Sequence, residues 1–324
     1  MLIRSPESED IGDSGPGRLP PYRPTEESIT VKPTIPGFAY HRVSVAEDVS
    51  LHVAVGGTGT PVVLLHGFPQ THLMWRHVAA DLAADHTVIC PDLRGYGDSD
   101  KPREDGPHTY SKRTMADDVV TLARRLGHPR FALAGHDRGA LVAFRAGLDH
   151  PEAVSHLACL DVLPTLDMWD ALHGTSAAVA FHLYLMAQPP GLAERMISAS
   201  ADAFFGHFLD VWANRPDAIP AQVRAEYLRA CRGAVPSIVA DYRASAGIDV
   251  EHDEADRATQ NRLGMPVAVL QQDWGAALGY EATALWEAWA DDLRHTTVSC
   301  GHFMAEEAPA DVAKHLRELT LRGA

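Results

Sequence analysis

From Phe38 onward, short apolar or alternating runs are parted by longer amphipathic ones. FAYHRVSV and LHVAVGG lead as a hairpin, and PVVLLHG, HTVICPD, RFALAGHD and HLACLDV follow as apolar runs of strand length. Strands buried on both faces with helices between the later ones predict a parallel sheet, led here by an antiparallel pair. After LDVLP the rhythm stops. Residues 164–255 are helical and aromatic-rich (SAAVAFHLYLMAQ, ADAFFGHFLDVW, AEYLRACRG) and read as a cap inserted into the sheet domain. The strand rhythm resumes at MPVAVLQQ and RHTTVSCGH and closes on the helix DVAKHLRELTL. The expected organisation is a core of residues 37–163 and 256–324, the cap, and an arm of residues 1–36. The arm's composition in Pro, Gly, Ser and Glu cannot offset the entropy of ordering, so it is expected to be flexible.

Charge narrows the function. With 43 acidic against 28 basic residues and a net charge of −15, the chain has no electrostatic footprint for nucleic acid or an anionic membrane. MLIRSPESED has no apolar signal region and no later run is long enough to cross a bilayer, so a cytoplasmic protein is expected. Cys90, Cys159, Cys231 and Cys300 lack C-x-x-C spacing and read as reduced, mostly buried thiols. The 18 histidines show no i, i+4 pair near a carboxylate, so no metal site is expected. His66 and His136 fall in turns with structural roles; His72, His86, His128 and His150 fall at polar or boundary positions.

The chemistry concentrates in LAGHDRGAL, residues 133–141. A strand, then Gly-His-Asp-Arg-Gly, then an apolar helix has the layout of a nucleophile elbow with Asp137 in the usual serine position. Alone, a Gly-rich strand-to-helix turn is also compatible with a plain connection. Upstream, VVLLHGFPQ puts the backbone N–H of Phe68 where it can join that of Arg138 as an oxyanion hole. Downstream, TVSCGHFMAEEAP puts His302 in the loop after the last strand, the place of a general base. A serine must lose a proton before attacking, whereas a carboxylate is ionised at neutral pH and can displace a leaving group from saturated carbon.

HGFPQ, DLRGYGDSDKP, GHDRG and CGHF together resemble the haloacetate dehalogenase and epoxide hydrolase branch of the α/β-hydrolases, over residues 38–320. The resemblance implies a mostly parallel eight-stranded sheet with an inserted cap, a covalent alkyl ester at Asp137, and hydrolysis of that ester by water activated by His302. It implies no cofactor and no partners beyond a small-molecule substrate and water, and it leaves a homodimer open. Two residues compete to hold the histidine: Asp161, at the end of HLACLD and similar to the placement in dehalogenases of this branch, and Asp273 in VLQQDWG. The alternative readings are a turn residue for Asp273 and a cap for Asp161. Asp161 is favoured.

In the cap, FHLYLMAQPPG is similar to the halide-binding segment of fluoroacetate dehalogenases, with VADYRAS supplying the matching Tyr242. Two departures stand out. Leu183 follows His182 where those enzymes carry Trp, and Leu141 stands where they carry a second carboxylate-binding Arg beside Arg138. Loss of one charge-assisted partner costs about 1.5 to 3 kcal/mol. Epoxide opening in this branch instead uses cap donors, usually two tyrosines, which here are Tyr242 and either His182 or Tyr184. Two leucines also suggest room for a bulkier, less charged substrate. The expected order is therefore an epoxide hydrolase acting on a bulky apolar molecule, then a haloacid dehalogenase, then an inactive or binding-only relative.

Overall fold

In the computed structural model, which describes residues 32–272 and 280–322, eight strands form one sheet. Ala39–Ala46 (β1), Val49–Gly56 (β2), Thr60–Leu65 (β3), His86–Pro91 (β4), Phe131–His136 (β5), Val154–Leu160 (β6), Val267–Gln271 (β7) and Leu293–Thr297 (β8) take the order β1-β2-β4-β3-β5-β6-β7-β8. β1 and β2 pair antiparallel, β2 meets β4 antiparallel, and every later pairing is parallel. The continuous apolar runs behave as their pattern predicts: β5 and β7 are buried along their whole length. Two apolar layers cover the sheet, one around Val119, Val142 and Trp286, the other around Trp75, Val78 and Val312. The arm lies outside the described residues up to position 31. Its last part joins the body, where Ile35 is buried and donates its N–H to the Tyr40 hydroxyl.

Chain order reverses direction around β3, whose neighbours are β4 and β5. In open parallel sheets the cleft outside the strand C-termini at such a switch point is where ligands bind. Leu65 pairs with Gly135, His136 with Leu160, and Leu160 with Leu270. The residues leaving β3, β5, β6 and β7 therefore emerge side by side at one edge.

Between β6 and β7 the chain forms helices Thr165–Ala171 (α4), Phe181–Met186 (α5), Leu192–Ala199 (α6), Ala201–Val211 (α7), Ala221–Arg232 (α8), Val235–Ser245 (α9) and Ile248–Thr259 (α10), following Arg76–Leu82 (α1), Lys112–Arg125 (α2) and Arg138–Asp149 (α3). No helix of the described residues is long and apolar enough to cross a membrane. All four cysteines are free and buried, as their apolar surroundings predict.

Candidate active site

The turn from β5 into α3 holds Asp137 at φ 48° and ψ −118°, a conformation L-residues rarely adopt. Gly135 and Gly139 make the turn possible. A Cβ at Gly139 would sit 2.4 Å from the His66 carbonyl oxygen, and one at Gly135 would sit 2.3 Å from that of Gly139. Because β3 lies beside β5, the loop after β3 delivers the Phe68 N–H to Asp137 Oδ1 at 2.7 Å. Asp161 follows β6, also at positive φ (51°), and its Oδ2 lies 2.6 Å from His302 Nδ1. Asp137, Asp161 and His302 all line one cavity. Asp273 lies outside the described residues.

Burial lowers the proton affinity of His302, but the hydrogen bond and charge of Asp161 outweigh it, so its pKa is raised. Gln272 donates to Asp161 through its backbone N–H (3.2 Å) and Nε2 (2.7 Å), fixing the carboxylate. His66 and His136 have the structural roles expected. Leu93 N–H donates to His66 Nε2 at 3.0 Å, and His136 Nε2 lies 2.7 Å from the His302 carbonyl.

Residues 60–226 match the family model described as the alpha/beta hydrolase fold. The chain belongs to the α/β-hydrolase family. It is 38% identical to a fluoroacetate dehalogenase of a Burkholderia species over 87% of this chain and 93% of that one. It is 33% identical to a soluble epoxide hydrolase of Corynebacterium sp. (strain C12), covering 83% and 93%. Among solved structures, a candidate epoxide hydrolase of Pseudomonas aeruginosa superimposes with a TM-score of 0.84 at 40% identity, over 89% of this chain and 97% of that one. The enzyme is thus a hydrolase with relatives of both kinds.

Above Asp137, this α/β-hydrolase carries an aromatic roof. His182 stacks on Phe68 at 5.7 Å and meets Tyr242 edge-on at 5.5 Å. His182 Nδ1, the Tyr242 hydroxyl and Arg138 Nη1 are all buried without a hydrogen-bond partner. Burial, reinforced by the charge of Asp137, raises the Tyr242 pKa far above its usual value, so the hydroxyl keeps its proton. Burial lowers that of His182 to about 3, so the ring is neutral.

Several expectations need correction. Arg138 is not an open carboxylate clamp. Its Nε and Nη2 reach the Asp241 carboxylate at 2.9 Å, Nη2 also reaches Ser245 Oγ at 2.7 Å, and its guanidinium lies 4.0 Å from the Tyr242 ring centroid. Burial alone opposes charge on Asp241, but Arg138 and Lys112 hold it well below the usual carboxylate range. Tyr184 is turned away from Asp137: 39% exposed, its hydroxyl donates to the Leu172 carbonyl. Among the described residues, the cavity beside Asp137 is narrow rather than roomy. The cavity measures about 90 Å³, below the few hundred Å³ usual for small-molecule sites. Leu183 is one of its walls, and Leu141 is core at 2% exposure. His72 and His86 are buried rather than at polar boundaries.

Side-chain atoms of His52, His72 and Asp92 lie within 4.8 Å of one another among the described residues. Asp92 there already accepts from His72 N and Nδ1 and from Asp98 N, at 2.8 to 2.9 Å. Those contacts tie the loop after β3 to the loop after β4.

Sequence reasoning missed Gln272, Asp241 and the contact between Trp212 and His302. A glutamine beside Asp273, the other candidate for the acid, offered a weak signal. The contact in which the Trp212 carbonyl accepts the His302 N–H at 2.9 Å offered none, because it joins residues 90 positions apart.

Proposed function

We propose that this enzyme opens a small apolar epoxide to a diol through an ester at Asp137, with helices α4 to α10 acting as a cap over the cleft. The observation that carries this reading is the pair of buried polar atoms without a hydrogen-bond partner, Tyr242 Oη and His182 Nδ1, beside an elbow carboxylate. Asp137 Oδ1 is held by the Phe68 N–H, which leaves Oδ2 as the attacking atom. Oδ2 forms a bond to an epoxide carbon as that carbon's bond to the ring oxygen breaks, and the alkoxide takes the Tyr242 proton while His182 donates a hydrogen bond. Water then attacks the Asp137 carbonyl carbon, giving a proton to His302 Nε2 while the N–H groups of Phe68 and Arg138 stabilise the oxyanion. Collapse releases the diol, whose leaving oxygen takes the proton held by His302; the second proton of the water restores Tyr242, and Asp137 is left as a carboxylate with one oxygen from water. Asp161 keeps the tautomer and orientation of His302 throughout. Pairing of Arg138 with Asp241 favours an uncharged substrate, and the narrow cavity favours a small one.

Haloacid dehalogenation is the second reading. It is favoured by the unsatisfied Nη1 of Arg138, which can receive one carboxylate oxygen, and by the fluoroacetate dehalogenase relative. Both readings share the ester. His302→Gln should accumulate it as added substrate mass on the peptide containing Asp137, and wild type turned over once in labelled water should gain label in Asp137. Mass on another residue, or no label, overturns the mechanism; diol or halide release across a panel of epoxides and haloacids separates the substrates.

A further inference from the structure

Behind the base, one carboxylate oxygen collects donors from two distant segments. Glu307 Oε2 accepts the backbone N–H groups of Asn214 and Arg215 at 2.9 Å each and that of Gly301 at 3.1 Å. Asn214 and Arg215 follow α7, whereas Gly301 directly precedes His302. The same two segments are joined twice more, His302 N–H to the Trp212 carbonyl at 2.9 Å and Asn214 Nδ2 to the Cys300 carbonyl at 3.0 Å, and Arg215 Nη1 also donates to the Glu307 carbonyl at 3.2 Å. There is no slack in the joint. A Cβ at Gly301 would lie 2.4 Å from Glu307 Oε1, 2.5 Å from Asn214 N and 2.6 Å from the Trp212 oxygen. Trp212 also faces the chemistry, lining the cavity with its ring centroid 4.9 Å from that of His302.

We propose that Glu307 is a positioning residue that locks the Trp212–Arg215 turn of the helical insertion onto the His302 loop and thereby sets the base for ester hydrolysis. The proposal rests on the Asp137 ester of the preceding section. Its physical basis is the division of labour between the two half-reactions. Alkylation uses Asp137 and the roof donors and does not need His302; hydrolysis needs His302 aligned with water and the ester carbonyl, and small misplacement of a reacting group costs rate steeply. Without the carboxylate, three N–H groups, that of the buried Gly301 among them, lose their acceptor and the loop is free to shift.

The test follows single turnovers of the full chain, using epoxybutane or chloroacetate according to which the wild type consumes. Alkylation is read by mass on Asp137 and hydrolysis by its decay. Glu307→Ala should alkylate at nearly the wild-type rate and hydrolyse roughly a hundredfold slower. Glu307→Gln, whose amide oxygen still accepts N–H groups, should recover most of that loss. Asn214→Ala, which removes only the bond to Cys300, should slow hydrolysis alone by a smaller factor and serves if Glu307→Ala does not fold. Equal slowing of both steps, no slowing in either, or failure of Gln to rescue overturns the inference. His302→Gln is the control: if it traps no ester, the underlying mechanism has failed, whereas a trapped ester there with unchanged hydrolysis in the Glu307 variants sinks the positioning role alone.

Discussion

His302 Nδ1 stands 2.6 Å from Asp161 Oδ2, and both oxygens of that carboxylate also accept from Gln272. The imidazole is thereby held with Nδ1 protonated and Nε2 basic. Asp161→Asn should slow turnover by about 10⁴, the penalty known for loss of a triad carboxylate, with ester building up on Asp137. A raised His302 pKa also fixes a sign. The base acts when neutral, so ester hydrolysis should rise with pH through a midpoint above 6.5 and level off beyond it. In Asp161→Asn that midpoint should fall, as read from single-turnover decay of the ester against pH.

Tyr242→Phe removes one donor aimed at the developing alkoxide. Loss of one such donor typically costs about 2.7 to 4 kcal/mol, or 10² to 10³ in rate. The loss should appear in alkylation by an epoxide and spare hydrolysis of preformed ester, and rapid-quench mass spectrometry separates the two. Equal loss in both steps would assign Tyr242 to packing.

Asp241→Asn should unmask the Arg138 charge. Acetate should then inhibit the variant at least tenfold more strongly than the wild type. Breaking a buried ion pair also costs about 3 to 5 kcal/mol, so the melting temperature should drop. Unchanged acetate inhibition in a folded variant would show that Asp241 does not mask Arg138.

Fluoride release from fluoroacetate should stay near background, because Leu183 and Leu141 supply neither an indole donor nor a second cation. Leu183→Trp should raise it. Rapid release by the wild type, followed with a fluoride electrode, would show that Arg138, His182 and Tyr242 suffice.

Acid should unfold the enzyme through its buried neutral histidines. Burial depresses His182 to about 3 and His136 to about 4, below the unfolded value of 6.5. The unfolded chain therefore binds more protons below 6.5, so this contribution is complete above that pH and is lost as pH falls toward 4 and then 3. Denaturant midpoints should decline over that window, and His182→Phe should flatten the decline.

The hydrophobic pattern determined the sheet, the helical insertion and the elbow at Asp137, because strand length, apolar continuity and flanking glycines are local properties. It also marked Phe68 and His302, since each sits in the loop after an apolar strand. Tertiary structure decided the rest. Asp161 meets His302 only because β6, β7 and β8 pair in order, which brings positions 141 residues apart to 2.6 Å. Tyr184 reads as a roof donor in sequence, but the helix turns it outward. Nothing in the sequence singles out Asp241, yet α9 is buried there and presents it to Arg138 and Lys112. Cavity size is set by how the insertion packs against the sheet, so two leucines that suggested open space became, one a wall and the other core.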